Sequence, residues 1–301
     1  MSVASEIERI KGNIASAYTA ASGKGATMPD VQNSANLAGC IDTITGGGEP
    51  VEKTKLGVTV DVFLGDVDEN GVLKNASGTG VVNFAGVKEI YEAVLSGVFK
   101  QKKNITGANL SGVETIRSEG LRETFYNSGV SGFIDLGSLK TLGIYGLYSC
   151  FTNCSGITGV DLNSLEKITS YSLYQAFYGC SGLSGRIDLS SLTYVDTQGM
   201  NNAFRGCAKV TEIDVSSLAT LGNGAMYNAF NGTSISKISF PSLISVASMS
   251  LSSSATSGGA FSNCSLLTEI HFRVDMQATI EAMTGYANKF GATNATIYFD
   301  L

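Results

Sequence analysis

Four aspartates recur at almost constant intervals: Asp135, Asp161, Asp188 and Asp214. Each is the middle of an apolar-acid-apolar triplet, Ile-Asp-Leu at 134–136, Val-Asp-Leu at 160–162, Ile-Asp-Leu at 187–189 and Ile-Asp-Val at 213–215. Side chains alternate across a strand, so the flanking apolar residues face one way and the aspartate the other. Stacked strands lie about 4.8 Å apart, and like charges at that spacing repel by roughly 1 kcal/mol per pair in water. Such a column is either a binding face whose charge a cation or ligand answers, or a row of solvated carboxylates bonded to nearby hydroxyls and turn amides. The same position holds Asn83 and Asn109 before the aspartates, and Ser239 and His271 after them. His271 is the only histidine of the chain. No nucleophile pattern accompanies it, so it is not read as a catalytic base.

Tyrosine forms a second constellation. Tyr148, Tyr174 and Tyr227 each stand three residues before a phenylalanine, and Tyr145 and Tyr171 stand six before. Repeated tyrosines are either buried ladders or exposed, rigid, amphipathic area for glycan or protein partners. The candidate binding face is therefore Asp135, Asp161, Asp188, Asp214, His271, Tyr148, Tyr174 and Tyr227. Of six cysteines, Cys154, Cys180, Cys207 and Cys264 share one repeat position, which marks them as structural. Cys150 and Cys154 lack the partners of a zinc site. Asp66, Asp68, Asn70 and Gly71 copy the first half of a calcium loop, but the twelfth position is Ser77 rather than a bidentate glutamate, so a hairpin turn fits better. No cofactor and no catalytic residue is expected, because no acid/base or nucleophile cluster is present.

The elements that position these residues are legible from the phenylalanines. Phe99, Phe125, Phe151, Phe177, Phe204, Phe230 and Phe261 are spaced 26, 26, 26, 27, 26 and 31 apart. From Phe125 on, a small residue follows by three, Ser128, Cys154, Cys180, Cys207, Thr233 and Cys264, and a strand triplet follows each phenylalanine by about nine. A Ser-Leu pair then returns, with Leu139, Leu165, Leu192, Leu218 and Leu243. One strand per unit at a period near 26 is the signature of a solenoid, in which units bury their apolar sides only by stacking. "AFYGCSGLSGRIDLSSL" and "AFRGCAKVTEIDVSSL" resemble the BspA-type leucine-rich repeat over roughly 82–272. The resemblance implies parallel strands on one face and irregular turns or short helices on the other. The insertion "MSLSSSATSGGA" at 249–260 predicts a protruding loop.

The expected fold is an α+β repeat, a leucine-rich-repeat solenoid preceded by a short helical module and β-hairpin. Residues 1–45 carry apolar stripes at helical spacing and are expected to anchor or oligomerise the chain. Residues 46–54 read as a linker, 55–81 as a hairpin and N-terminal cap, 82–272 as the solenoid and 273–301 as a helix-strand cap, with the helix at 276–290. Charged residues make up 15% of the chain and the net charge is -6, without a basic cluster, which argues against nucleic-acid binding. No apolar run reaches the length of a membrane span, and the N-terminus lacks the pattern of a secretory signal.

Both ends, "SEIERIKGNIASAYTAASGKGATMPDVQNSANLAGCIDTI" and "FRVDMQATIEAMTGYANKFGATNATIYFDL", also resemble segments of tail-associated and repeat proteins from phages of gut Gram-positive bacteria. That resemblance implies a non-enzymatic virion protein made in the bacterial cytoplasm, a tail-fibre or receptor-binding component. Its partners are then a bacterial surface receptor, glycan or protein, other virion proteins met through the N-terminal module, and further copies of itself in a homo-oligomer. The alternatives are a surface or secreted adhesin and a purely structural baseplate component.

Overall fold

The computed structural model describes residues 80–84, 87–252 and 258–301, all within one compact unit, Thr54–Leu301. The helical module, the linker, most of the hairpin segment and the Asp66, Asp68 and Asn70 loop lie outside the described residues.

Each of the first seven coils carries one longer strand and then a two-residue strand, and two longer strands follow at the C-terminal end. In chain order these are β1 (Gly80–Asn83) and β2 (Glu89–Ile90), β3 (Ile105–Asn109) and β4 (Thr115–Ile116), and β5 (Ser131–Asp135) and β6 (Thr141–Leu142). They continue with β7 (Gly156–Asp161) and β8 (Lys167–Ile168), β9 (Ser184–Asp188) and β10 (Tyr194–Val195), and β11 (Lys209–Asp214) and β12 (Thr220–Leu221). The last are β13 (Lys237–Phe240) and β14 (Ser245–Val246), then β15 (Glu269–Phe272) and β16 (Thr296–Phe299). Every recorded pairing is parallel. Among the described residues the first strand begins at Gly80, so the last two residues of the segment expected to be hairpin belong to the strand lane.

The register brings equivalent positions opposite one another, Asn83 with Asn109, Asp135 with Asp161, Asp188 with Asp214 and Ser239 with His271. Ile134, Leu136, Ile187 and Leu189 point inward and are fully buried, and so are all five Ser-Leu leucines. The repeat phenylalanines fill the centre as one column. Phe99, Phe125, Phe151, Phe177 and Phe204 stack at 5.4 Å between centroids, opening to 6.1 Å at Phe230 and Phe261. Each buried ring contributes roughly 1.5–3 kcal/mol relative to exposure, and none of it is available until coils stack.

The third lane is built from ten-residue turn segments, 92–101, 118–127, 144–153, 170–179, 197–206 and 223–232. Around each of the first six repeat phenylalanines, residues at −6, −2 and +2 take left-handed backbone, as Glu119, Glu123 and Asn127, Tyr145, Ser149 and Asn153, then Tyr171, Gln175 and Gly179. Alternate amides donate to the next coil, as Glu119 to Ile144 at 2.9 Å, Glu123 to Tyr148 at 2.7 Å and Phe125 to Cys150 at 3.0 Å. The intervening amides close back within their own coil, as Thr124 to Leu121 at 3.2 Å. The left-handed residues cost about 1–2 kcal/mol each when they carry a side chain. The inter-coil hydrogen bonds, at about 1 kcal/mol each, offset this. Gly179, at φ 71°, removes the penalty at one such position, and a Cβ there would lie 2.3 Å from Asn153 Oδ1.

At the C-terminal end the expected helix over 276–290 is shorter. A 3-10 turn at Val274–Met276 leads into one helix, α1 (Gln277–Glu281). The helix ends at Ala282, and after Gly285, left-handed at φ 86°, Tyr286–Gly291 forms a kinked 3-10 segment. Strand β16 then pairs with β15 and closes the stack, while Ile280, Met283 and Phe290 seal the core beneath.

Candidate functional site

The turn lane displays its side chains in columns, because each coil repeats the same backbone. The column three before the phenylalanine reads Arg122, Tyr148, Tyr174, Asn201 and Tyr227, and the column six before it reads Glu119, Tyr145, Tyr171 and Gln198. Tyr148 and Tyr174 stack at 4.9 Å with 4° between their planes, and Tyr145 and Tyr171 at 5.2 Å. Tyr145 also meets Tyr148 edge-on at 5.6 Å. Arg122 lies over both, 5.6 Å from the Tyr145 ring and 5.2 Å from Tyr148, and is held by Glu119 at 3.1 Å. All four tyrosines are half-buried, and with Arg122 and Gln198 they line a depression of about 360 Å³. Burial, and then its neighbour Tyr174, raise the Tyr148 phenol above the ordinary tyrosine range. A tyrosine hydroxyl can both donate and accept, so the array offers both to a partner.

This array joins two of the three tyrosines singled out from sequence and leaves the third apart. Asn201 occupies the column between Tyr174 and Tyr227, so Tyr227 lines a separate pocket. Arg122 and Gln198 were not anticipated. Their signal was present, since each sits in a tyrosine column one coil before or after the rings.

The aspartate column forms as expected, half-exposed on the strand lane rather than with the tyrosines. Its carboxylates are already occupied. Asp135 Oδ1 accepts the Gly137 amide at 3.0 Å, Asp161 Oδ1 that of Asn163 at 3.0 Å, Asp188 Oδ1 that of Ser190 at 3.0 Å and Asp214 Oδ1 that of Ser216 at 2.9 Å. Asn109 does the same with Ser111. The position is thus a corner device in every coil that has it. Arg186 answers the charge further on, with Nη2 2.5 Å from Asp214 and 3.7 Å from Asp188. The Ser190 hydrogen bonds hold the Asp188 carboxyl below its usual range. Among the described residues no His, Cys, Asp and Glu cluster could hold a metal ion.

His271 shares the column's register but not its exposure. It is 7% exposed, because Tyr298 of β16 stacks on it at 4.8 Å. Its ring nitrogens meet Asp300 at 2.7 Å and Glu269 at 3.1 Å. It fastens the closing strand rather than presenting a surface. The repeat cysteines are likewise internal. The thiols of Cys154, Cys180, Cys207 and Cys264 donate to the carbonyls of Phe125, Phe151, Phe177 and Phe230 in the preceding coil, at 3.0–3.2 Å. Burial pushes all four thiols up, Cys207 to about 12. At neutral pH they are thiols, not nucleophilic thiolates.

No curated protein matches this chain. Solved structures similar to it include a leucine-rich repeat protein from Bacteroides ovatus ATCC 8483 and a leucine rich cell surface protein from Faecalibacterium prausnitzii A2-165. The first is 16% identical with a TM-score of 0.35, covering 64% of this chain and 55% of its own. The second is 19% identical with a TM-score of 0.32, covering 66% and 52%. This chain thus spans about half the length of each. Residues 122–256 and 200–287 match the BspA type leucine rich repeat region in six copies. The period, the parallel strand lane, the phenylalanine column and that match agree, and the chain belongs to the BspA-type leucine-rich repeat family.

Proposed function

We propose that the chain is a non-enzymatic recognition protein, the tail-fibre or receptor-binding component of a phage virion, which contacts the bacterial surface through its turn lane. The tyrosine array carries this reading. Four half-buried aromatic rings with an arginine across them stand on a face whose backbone is pinned coil to coil. Rigid tyrosine and arginine are the side chains that give contact area at low entropic cost. The non-enzymatic part of the reading is supported by the protonated cysteines and the enclosed histidine, which supply no acid/base or nucleophile set. The virion assignment rests on the resemblance of the two chain ends, with residues 1–45 attaching to other virion proteins and to further copies.

Fluorescently labelled full-length chain, titrated onto a panel of intact gut bacteria, tests the recognition. Saturable staining of some strains is expected, reduced about tenfold or more by Tyr148→Ala with Tyr174→Ala, as for loss of an aromatic hot spot. Staining unaffected by the pair would sink the role of the array. In cells that carry the gene, the protein should sediment with tail-bearing particles after prophage induction. Retention on the cell surface would favour an adhesin instead.

A further inference from the structure

The last coils and the closing segment leave a pocket of about 650 Å³ between them. Tyr227, Asn228 and Asn231 line it from one coil, Asn263 from the next and Asn288 from the closing segment, with Arg205 from the coil before. Arg205 is the one charged residue of this lining among the described residues. It meets no carboxylate there, and is held instead by Asn202 at 3.2 Å and by the Tyr178 ring at 5.6 Å.

The carboxamides form a ladder across the wall. Asn263 Nδ2 donates to Asn231 Oδ1 at 2.9 Å, and Asn231 Nδ2 to Asn228 Oδ1 at 3.3 Å. Each amide has two hydrogens and two lone pairs, so this chain of bonds leaves donors and acceptors over. Asn288 adds a sharper observation: among the described residues its Oδ1 alone is buried without a hydrogen-bond partner. An orphaned buried acceptor costs about 1–3 kcal/mol. It persists because the backbone around it is fixed. Lys289 and Phe290, at φ 53° and 55°, are consecutive left-handed residues. Phe290 O accepts the Phe261 amide at 3.1 Å, and the approach is so close that a Cβ on Gly259 would lie 2.1 Å from that oxygen. Strain of this sort survives where surrounding structure enforces it, and it concentrates at ligand sites.

The volume suits a small molecule, but small-molecule pockets are mostly apolar, and this one is lined by amides and hydroxyls. It matches a ligand that donates and accepts on all sides. The half-buried Tyr227 ring supplies one flat surface for a C–H face, and Arg205 supplies charge for an acidic substituent. We propose that this pocket binds a saccharide of one or two units, with acidic sugars preferred. The proposal rests on the recognition reading above and assigns it a ligand class at a place distinct from the tyrosine array.

Saturation-transfer NMR of the full-length chain with galacturonic acid, galactose and N-acetylglucosamine tests it. Saturable transfer is expected, with galacturonic acid bound about tenfold more tightly than galactose. Asn288→Ala should weaken binding about tenfold while leaving Tm unchanged or raised, since its buried Oδ1 has no partner among the described residues. Arg205→Gln should equalise galacturonic acid and galactose. Absence of transfer from all three sugars, or equal transfer to Asn288→Ala, overturns the site. Equal affinity for acidic and neutral sugar in the unaltered chain overturns the preference. Cell staining that persists without sugar binding defeats this inference alone, and sugar binding without cell staining defeats the recognition reading alone.

Discussion

Cys207 shows how a residue type can mislead about chemistry. Its thiol is fully buried, donates to Phe177 O at 3.2 Å and is pushed by burial from an ordinary 9.0 to about 12. A group with a raised folded pKa stabilises the native state below its unfolded value and loses that contribution as pH rises through the folded one. Stability should therefore fall between pH 9 and 12, and a Cys207→Ser variant should show a shallower fall. Iodoacetamide at pH 8, read by peptide mass spectrometry, should leave Cys150, Cys154, Cys180, Cys207 and Cys264 unlabelled until denaturant is added. Rapid native labelling of any of them would contradict the burial. The structural role was legible in sequence, because four cysteines share one register with Ser128 and Thr233. The aspartate register was equally plain, yet its meaning was not. Two readings fitted the triplets, and only the amides of Gly137, Asn163, Ser190 and Ser216 favour the corner device. His271 could not be placed from its column, since what covers it is Tyr298, one strand later.

At the scale of the element, the strands and the phenylalanine column were readable because each repeats one residue type at one spacing. The turn lane was not. Its left-handed positions hold Glu119, Tyr145, Ser149, Tyr171 and Gln175, residues that give no local sign of φ near 55°. The last of the three positions, with Asn127, Asn153, Gly179, Gly206, Gly232 and Asn263, carries the amide or glycine that marks it most often, while the middle position does so in only some coils, with Gly97, Asn202 and Asn228. The inter-coil ladder forces the conformation on the rest. That makes Gln175 a test of the ladder. It sits at φ 53°, and its amide donates to Asn201 at 2.9 Å. Gln175→Gly should leave stability unchanged or raise it by up to about 1 kcal/mol, as the relieved strain exceeds the entropy glycine adds to the unfolded chain. Gln175→Val should destabilise by more than that, because a β-branched residue resists this region. Urea denaturation of the two variants decides it, and a valine variant as stable as glycine would remove the argument. The over-long helix expected at 276–290 has a related cause: Ile280, Met283, Tyr286 and Phe290 keep helical spacing, but Gly285 breaks the backbone between them and still lets Met283 and Phe290 reach the core.

At the scale of the molecule, a solenoid has no core until its units stack, so its ends decide whether the stack is soluble. The closing segment supplies that end. Strand β16 pairs with β15, matching Ile270 with Ile297 and Phe272 with Phe299, and Phe290 packs edge-on against Phe272 at 6.4 Å. His271 ties the two strands through Asp300 and Glu269. Removing residues 273–301 would uncover Ile270, Phe272 and Phe261, all fully buried in the intact unit, and leave β15 with an unpaired parallel edge. Such an edge pairs with other chains. The truncated protein should aggregate or form edge-to-edge oligomers by light scattering, and should melt at lower temperature. A polar cap grafted at the same place ought to restore solubility without restoring sugar binding, because Asn288 leaves with the segment. A truncated chain that stays soluble at its original mass with an unchanged Tm would mean that the preceding coils are self-sufficient. The closing segment would then be there for its pocket rather than for the core.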